Sequence, residues 1–402
     1  MSGELFINDT AYRPNVRKCD FFAIFPRNSP IILFFMDYVR AYMYNVFQLK
    51  ERLEIMKNRF VLIALLPMII SVNGCSNTPK KEYFQLWNEC DSLSTLKAYV
   101  EDITNEKSPN YIPVEDRIAT FDMDGTFIGE LYPTYFEYNM LEYRVLDDPS
   151  YKDKAPDDVI EAAQAIRDYA RKGTKFPSGF DMIHANAAAK AYSGLTVAEF
   201  DDYVKEYAKK TPFGFTGMTY ATSFYKPMLE VFDYLEDYDF TFYVVSGSDR
   251  FICRSLVESI GISSNRVIGM DVTLRSTNQE GDGVKYTMTS DEEMIRTDEL
   301  IIKNLQTNKV KQITQEIGKT PVLSFGNSSG DAAMHNFCLG NKEYKTEVFM
   351  LVADDNVRDH ADLNEGARRQ ALWEEAGYNI ISMKNDFKTI YGNGVEVVDF
   401  IF

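Results

Sequence analysis

The sequence predicts an α/β fold: a three-layer, Rossmann-like parallel sheet core with a helical cap inserted after the first core strand. Two observations carry this expectation. Short apolar runs of strand character alternate with amphipathic stretches through the C-terminal half, the pattern of a parallel sheet with helices on both faces. Ahead of that alternation, the block from Phe127 to about Ala221 is helical in pattern throughout and holds no convincing strand. A third observation concerns placement. Asp122, Asp124, Ser246, Asn327 and Asp331 all fall just past the end of an expected strand, where open α/β sheets bind ligands.

Taken in order, Leu86, Cys90, Leu93, Leu96 and Val100 recur at helical spacing, so a helix is expected from Tyr83 to Asn105. Pro113 then leads into a first strand, Arg117 to Phe121. The helical block contains "DDVIEAAQAIRDYARKG", "SGFDMIHANAAAKAYSG" and "TVAEFDDYVKEYAKKTP", each stopped by Gly or Pro. Strand character returns at Asp239 to Ser248, followed by a helix to Ile260 and a strand from Arg266 to Asp271. A polar, Gly-containing stretch to about Ser290 reads as a β-hairpin. A helix over Lys309 to Ile317, a strand from Pro321, and apolar runs at Val348 to Ala353 and Tyr378 to Met383 complete the alternation. There is no internal repeat and no low-complexity tract.

At 402 residues, 45% hydrophobic and 14% aromatic, the chain can bury a large core and a second, smaller one. Sixty acidic residues outweigh 43 Lys and Arg, and the resulting charge of -17 argues against nucleic acid or an anionic membrane surface as the main partner. A local basic site for a small anion remains compatible with it. The five cysteines show no CxxC or His-linked spacing, which speaks against a zinc site.

The stretch "MKNRFVLIALLPMIISVNGC", Met56 to Cys75, reads as a bacterial export signal lying inside the chain. Lys57 and Arg59 form its charged end, Phe60 to Ile70 its apolar segment, and Val72 to Cys75 a cleavage box similar to that of lipoproteins. The apolar segment is too short for a bilayer span, which takes about 20 residues. A lipid anchor at Cys75 is therefore expected, with "SNTPKKE" as tether and the bacterial cell envelope as location. Residues 1–55 would be a non-native extension, 56–74 the signal, 75–111 tether and helix, 112–128 and 222–402 the core, and 129–221 the cap. The first 74 residues hold nine Lys and Arg against six Asp and Glu, so the exported part is more acidic still. With Cys75 acylated, Cys90, Cys253 and Cys338 could form at most one disulfide.

The chemistry centres on "RIATFDMDGTFIGE", Arg117 to Glu130. Two carboxylates one residue apart repel each other unless a cation or a shared proton intervenes, so Asp122 and Asp124 suggest a metal or acid/base site. Asp and Gly also make ordinary turns, so this stretch alone leaves a solvated acidic turn open.

Together with "VVSGS" around Ser246, Lys309 and "GNSSGD" ending at Asp331, "DMDGT" resembles the four signature motifs of the haloacid dehalogenase-like hydrolase superfamily, in order. The spacing from Lys309 to Asp331 and the tail "GYNIISMKNDFKTIYG" resemble its phosphoserine phosphatase-like members, over roughly Ile112 to Gly392. The resemblance implies a phosphatase in which Asp122 attacks phosphorus to give an aspartyl phosphate, and Asp124 protonates the leaving oxygen and later activates water. It implies that Ser246, the Gly247 amide and Lys309 hold the phosphoryl oxygens, with Thr126, Glu130 and Asn327 at the substrate. Mg²⁺ is the implied cofactor, held by the Asp122 and Asp331 carboxylates and the Asp124 main-chain carbonyl, all oxygen ligands. Asp124 favours an ester over a halide, because halide departure needs no proton. Asn327 stands where many relatives have Asp, one charge fewer around the metal.

The implied substrate is a small phosphomonoester, phosphoserine- or phosphocholine-like, closed in by the cap. Glu130 lies near the position of a glutamate that reads the substrate amine in phosphoserine phosphatases. Most of the aromatics Tyr132, Tyr135, Phe136, Tyr138, Tyr143, Phe176, Phe180, Phe213, Phe215 and Tyr220 would form cap core, though several around a quaternary ammonium would make a choline cage. Two rivals stay open: a non-catalytic lipoprotein that captures a phosphate ester, and a phosphotransferase that passes the aspartyl phosphate to an alcohol.

Overall fold

The computed structural model describes residues 81–130 and 135–399. The Met56 to Cys75 stretch, nearly all of the following tether and Tyr132 lie outside them.

The first helix, α1 (Asp91–Thr104), starts later than its periodicity suggests. Phe84 takes a positive φ of 62°, and the Gln85 and Leu86 amides donate to the Glu230 carboxylate, so this stretch turns rather than winds. Its apolar residues serve as packing anchors: Trp87 meets Phe387 edge-on at 4.8 Å.

Strand β1 (Ile118–Phe121) is buried along its whole length and forms the centre of the fold. After it come the helices of the cap, α2 (Phe136–Leu146), α3 (Asp157–Lys172), α4 (Phe180–Ala191) and α5 (Val197–Ala208). Helix α3 stops at Gly173 in the left-handed conformation, and α5 starts with a capping box between Thr196 and Glu199. The block contains one piece of strand the sequence does not announce, β2 (Phe215–Thr216). Helix α6 (Lys226–Asp237), β3 (Thr241–Asp249) and α7 (Arg250–Val257) return the chain to the core.

The rest of the core alternates: β4 (Val267–Ser276), β5 (Met294–Ile302), α8 (Thr307–Glu316), β6 (Leu323–Gly326), α9 (Ala332–Leu339), β7 (Glu347–Val352), α10 (Leu363–Glu375), β8 (Asn379–Ser382), α11 (Met383–Asp386) and β9 (Glu396–Val397). Seven strands make one sheet in the order β5-β4-β3-β1-β6-β7-β8. All its pairings are parallel except β4 with β5. The expected hairpin is therefore real, but its second strand lies beyond Ser290. β2 pairs with β9 in a separate antiparallel ribbon.

Side-chain alternation along the strands feeds two apolar layers. Phe121, Val244, Phe325, Phe349 and Leu351 join α1, α6 and α7 on one face. On the other, Val245 and Ile268 meet Ile313 of α8 and Met334 of α9, while Val348, Met350 and Val352 meet Cys338 and Trp373. These are the three layers the sequence led us to expect.

The cap is bonded to the sheet edge. Gly194 donates its N–H to the Arg296 carbonyl and Arg296 donates to the Leu195 carbonyl, both at 2.9 Å, so the link between α4 and α5 covers edge strand β5. Beneath it the Arg296 guanidinium, fully buried, pairs with Asp249 at 2.5 Å and lies over the Phe200 ring at 3.9 Å. Cys90, Cys253 and Cys338 are free thiols. No helix among the described residues is long and apolar enough to cross a membrane.

Candidate active site

The chain leaves β1 toward β3 and β4, then returns to β6 on the opposite side of β1. The carboxyl ends of β1 and β6 thus flank a topological switch point, where such sheets leave a crevice. Asp122 directly follows β1, and Asn327 directly follows β6.

Two local features shape the crevice. Beyond β1 the Thr126, Phe127 and Ile128 amides all point at the Met123 carbonyl, and Gly125 donates to the Ile128 carbonyl, closing a tight loop. Gly125 sits at φ +75°, and a Cβ there would meet Asn327 Nδ2 at 1.9 Å, so only glycine allows this approach. Gly125→Ala should cost about 1–3 kcal/mol in urea unfolding, the usual penalty of such strain, and push Asn327 out of place. The second feature is in β3, whose register against β4 slips between Val245 and Asp249. The bulge carries Ser246, Gly247 and Ser248, and the strand continues through all three to Asp249. Bulges of this kind re-aim side chains next to active sites.

Buried Lys309 on α8 bridges two carboxylates, at 2.5 Å from Asp122 Oδ1 and 2.6 Å from Asp331 Oδ1. The other Asp331 oxygen accepts the Asn327 and Ser328 amides at 3.1 and 3.0 Å, which fixes it at the turn after β6. Thr126 Oγ1 donates to Asp122 Oδ2 at 3.2 Å. Asp124 turns the other way: its Oδ2 accepts from Ser248 Oγ at 2.8 Å and Ser246 Oγ at 3.2 Å, while its buried Oδ1 has no hydrogen bond. Glu130 accepts from Asn327 Nδ2 at 2.6 Å.

Burial, then Asp331, pushes the Asp122 carboxyl up against the pull of Lys309. Burial likewise raises Asp124 to about 7, partly offset by Ser248. Burial and then Asp122 raise Glu130 to about 7, with Arg369 and Asn327 pulling the other way. Asp331 goes down in spite of its burial, because Lys309 holds it ionised.

These features test the fit of Mg²⁺. Asp122 and Asp331 bring their oxygens together at Lys309, and the repulsion from Asp331 and Asp124 that adds to burial in raising Asp122 is what a divalent cation would relieve. No group of three or more His, Cys, Asp or Glu side chains fit to hold a metal occurs among the described residues. The set implied here needs only the Asp122 and Asp331 carboxylates with a main-chain oxygen, so hard oxygen ligation fits.

Of the residues singled out in the sequence, Asp122, Thr126, Lys309, Asp331, Asn327 and Glu130 are linked by direct contacts, and Asp124 and Ser246 bond to each other. Gly247 lies against Leu305, whose Cδ2 a Cβ there would meet at 2.6 Å. Glu130 bonds to Asn327 of the core rather than to a cap residue. Among the described residues the aromatics fall into separate groups. Phe136, Tyr143, Tyr207 and Tyr220 pack together in the cap, Tyr135, Tyr138, Phe176 and Phe180 form a second group, and Phe215 joins His360 and Tyr391. Ser248 was missed, although it stands two residues after Ser246 in a strand, the spacing that shares a face.

No family model matches the chain, and no curated protein matches it. Among solved structures it is similar to a conserved protein of unknown function from Anaerococcus prevotii DSM 20548, at 15% identity over 75% of this chain and 94% of that one, with a TM-score of 0.45. Cytosolic 5′-nucleotidase IIIB, bound to cytidine, is 13% identical over 75% of this chain and 88% of its own, with a TM-score of 0.42. A phosphoserine phosphohydrolase-like protein from Francisella tularensis subsp. tularensis SCHU S4 is 12% identical over 66% of this chain and 94% of its own, with a TM-score of 0.37. With every score below 0.5, these likenesses carry no weight for activity.

Proposed function

We propose that the protein is a Mg²⁺-dependent phosphomonoesterase of the haloacid dehalogenase-like type, acting on a small phosphorylated metabolite, phosphoserine- or phosphocholine-like, through an aspartyl phosphate. The observation that carries this reading is the pairing of Lys309 with Asp122 and Asp331 beside a third aspartate, Asp124, that is held apart by two serines and keeps one oxygen open.

Asp122 attacks phosphorus and the ester oxygen leaves with the proton of Asp124, whose raised pKa keeps that proton available near neutrality. Asp124, then ionised, takes a proton from the water that hydrolyses the aspartyl phosphate. Lys309 stays charged between its carboxylates and neutralises charge on the phosphoryl oxygens. Mg²⁺, held by Asp122, Asp331 and the Asp124 carbonyl, would supply the positive charge that lets one anion approach another. A binding protein would need neither nucleophile nor acid, so turnover separates it from an enzyme.

Two measurements test the reading. Asp124→Asn should slow both formation and breakdown of the phosphoenzyme, by about 10²- to 10⁴-fold in kcat, because a positioned acid contributes about that much. Activity on small phosphomonoesters should vanish with chelator, return with Mg²⁺ and be inhibited by Ca²⁺, whose looser coordination misplaces the nucleophile. Undiminished turnover after exhaustive chelation would exclude a metal enzyme.

For the location we propose a lipid anchor at Cys75 that holds the catalytic body at a bacterial envelope membrane. The support is the Met56 to Cys75 pattern alone. Cys75→Ala should release the protein from the membrane fraction with phosphatase activity intact, and a native mass that starts at Met1 without acyl groups would refute the anchor.

A further inference from the structure

Beside Asp124 the cap buries a second polar group that the phosphoryl chemistry leaves unused. Glu137 of α2 and His184 of α4 are 2% and 0% exposed, and Lys303, just past β5, is 6% exposed. Glu137 Oε1 accepts the Asp249 amide at 2.9 Å. Its Oε2 has no hydrogen bond and lies 3.7 Å from Lys303 Nζ and 3.9 Å from His184 Nδ1. Neither nitrogen of His184 has a hydrogen bond, and Asn304 Oδ1, on the neighbour of Lys303, has none either. Folded proteins pair nearly all such buried atoms, so the open atoms of Glu137 and His184, 3.9 Å apart, call for a ligand.

Their position says which part of the substrate they face. Asp249, bonded to Glu137, follows Ser248, the serine that holds Asp124. The Asn304 amide donates to the carbonyl of Ser246, the other serine on Asp124. The Tyr135 hydroxyl lies 3.4 Å from Ser248 Oγ. The group thus adjoins the proposed acid through the two serines that hold its Oδ2.

We propose that Glu137, His184 and Lys303 read the leaving group, and that this group carries no net charge and both donates and accepts hydrogen bonds. The proposal rests on the phosphomonoesterase reading above. Lys303 balances Glu137. Burial, with Lys303, holds the His184 pKa well below its ordinary value, so the neutral ring offers one donor and one acceptor. A zwitterionic hydroxy amino acid such as serine, or a neutral polyol such as glycerol, satisfies this set. Choline brings a net charge and no donor on its ammonium. Among the described residues Tyr138 does not stand open as one wall of a cage, because it is packed against Tyr135, Phe176, Phe180 and His184 at 4.4 to 5.8 Å between ring centroids.

The test compares phosphoserine, glycerol phosphate and phosphocholine with the full chain and Mg²⁺. kcat/KM for one of the first two should exceed that for phosphocholine by at least about 10-fold, as expected where buried polar atoms would be left unpaired, and which of the two leads separates zwitterion from polyol. Glu137→Gln, which keeps an acceptor for the Asp249 amide, and Lys303→Met should each narrow that gap. Equal or better turnover of phosphocholine by the wild type, or variants that lower all three esters by one common factor, would overturn the proposal. If no ester is hydrolysed, the phosphatase reading fails instead. Titration calorimetry of the same three esters into the wild-type protein then decides the subsite: tighter binding of phosphocholine overturns it, and the stated order supports it.

Discussion

Asp122→Asn should lower turnover by at least about 10⁴-fold, the scale of losing a nucleophile, while the protein stays folded. An amide is nearly the shape of a carboxylate and can still accept from Thr126, so the loop after β1 has no reason to rearrange. What disappears is the negative oxygen that would attack phosphorus and one of the two partners of Lys309. Steady-state assay of the variant, with circular dichroism to confirm its fold, gives the answer. Activity within 10-fold of wild type, far short of what removing a nucleophile costs, would rule out covalent catalysis at this residue.

Lys309→Met should destabilise the protein by about 3–5 kcal/mol, the cost of removing one partner from a buried ion pair. The ammonium is fully buried between carboxylates that are themselves out of water, so the variant leaves Asp122 and Asp331 to repel each other. Denaturant unfolding in the presence of chelator measures the loss. Adding Asp122→Asn to Lys309→Met should recover part of it, because a neutral side chain then faces Asp331. Mg²⁺ should also stabilise the Lys309→Met protein by mass action, since it binds the folded carboxylates and not the unfolded chain. A cost below about 1 kcal/mol, the value of an exposed pair, would mean that the bridge does not hold the site together.

The sequence was most legible where burial is two-sided. β1, β6 and β7 lie inside the sheet and are buried along nearly their whole length, so their mostly apolar runs stand out between polar segments. β5 is an edge strand with charged, largely exposed residues, so its pattern is too faint to separate from the loop before it. Helix α10 is missed for the same reason, since Gly366 and Trp373 are its buried residues and most of its turns face water. The opposite error occurs before α1, where apolar residues at helical spacing serve a turn that Glu230 fixes from another element.

The same distinction holds at the site. Asp122, Asp124, Ser246, Lys309 and Asp331 could be read because each belongs to a short motif with fixed spacing. Glu137, His184 and Lys303 belong to α2, α4 and the segment after β5, and only packing of the cap on the sheet edge brings them together. Residues proposed to recognise the leaving group have no common spacing to betray them, whereas those proposed to handle the phosphoryl group do.

The most direct test of the central claim is to trap the covalent intermediate. The protein, mixed with Mg²⁺ and an ester that it turns over, is quenched in acid within a turnover and digested, and its peptides are weighed. The account predicts one phosphoryl group on the peptide containing Asp122, absent in Asp122→Asn and longer-lived in Asp124→Asn. A phosphoryl group on any other side chain, or turnover with no phosphorylated peptide at any quench time, would contradict it.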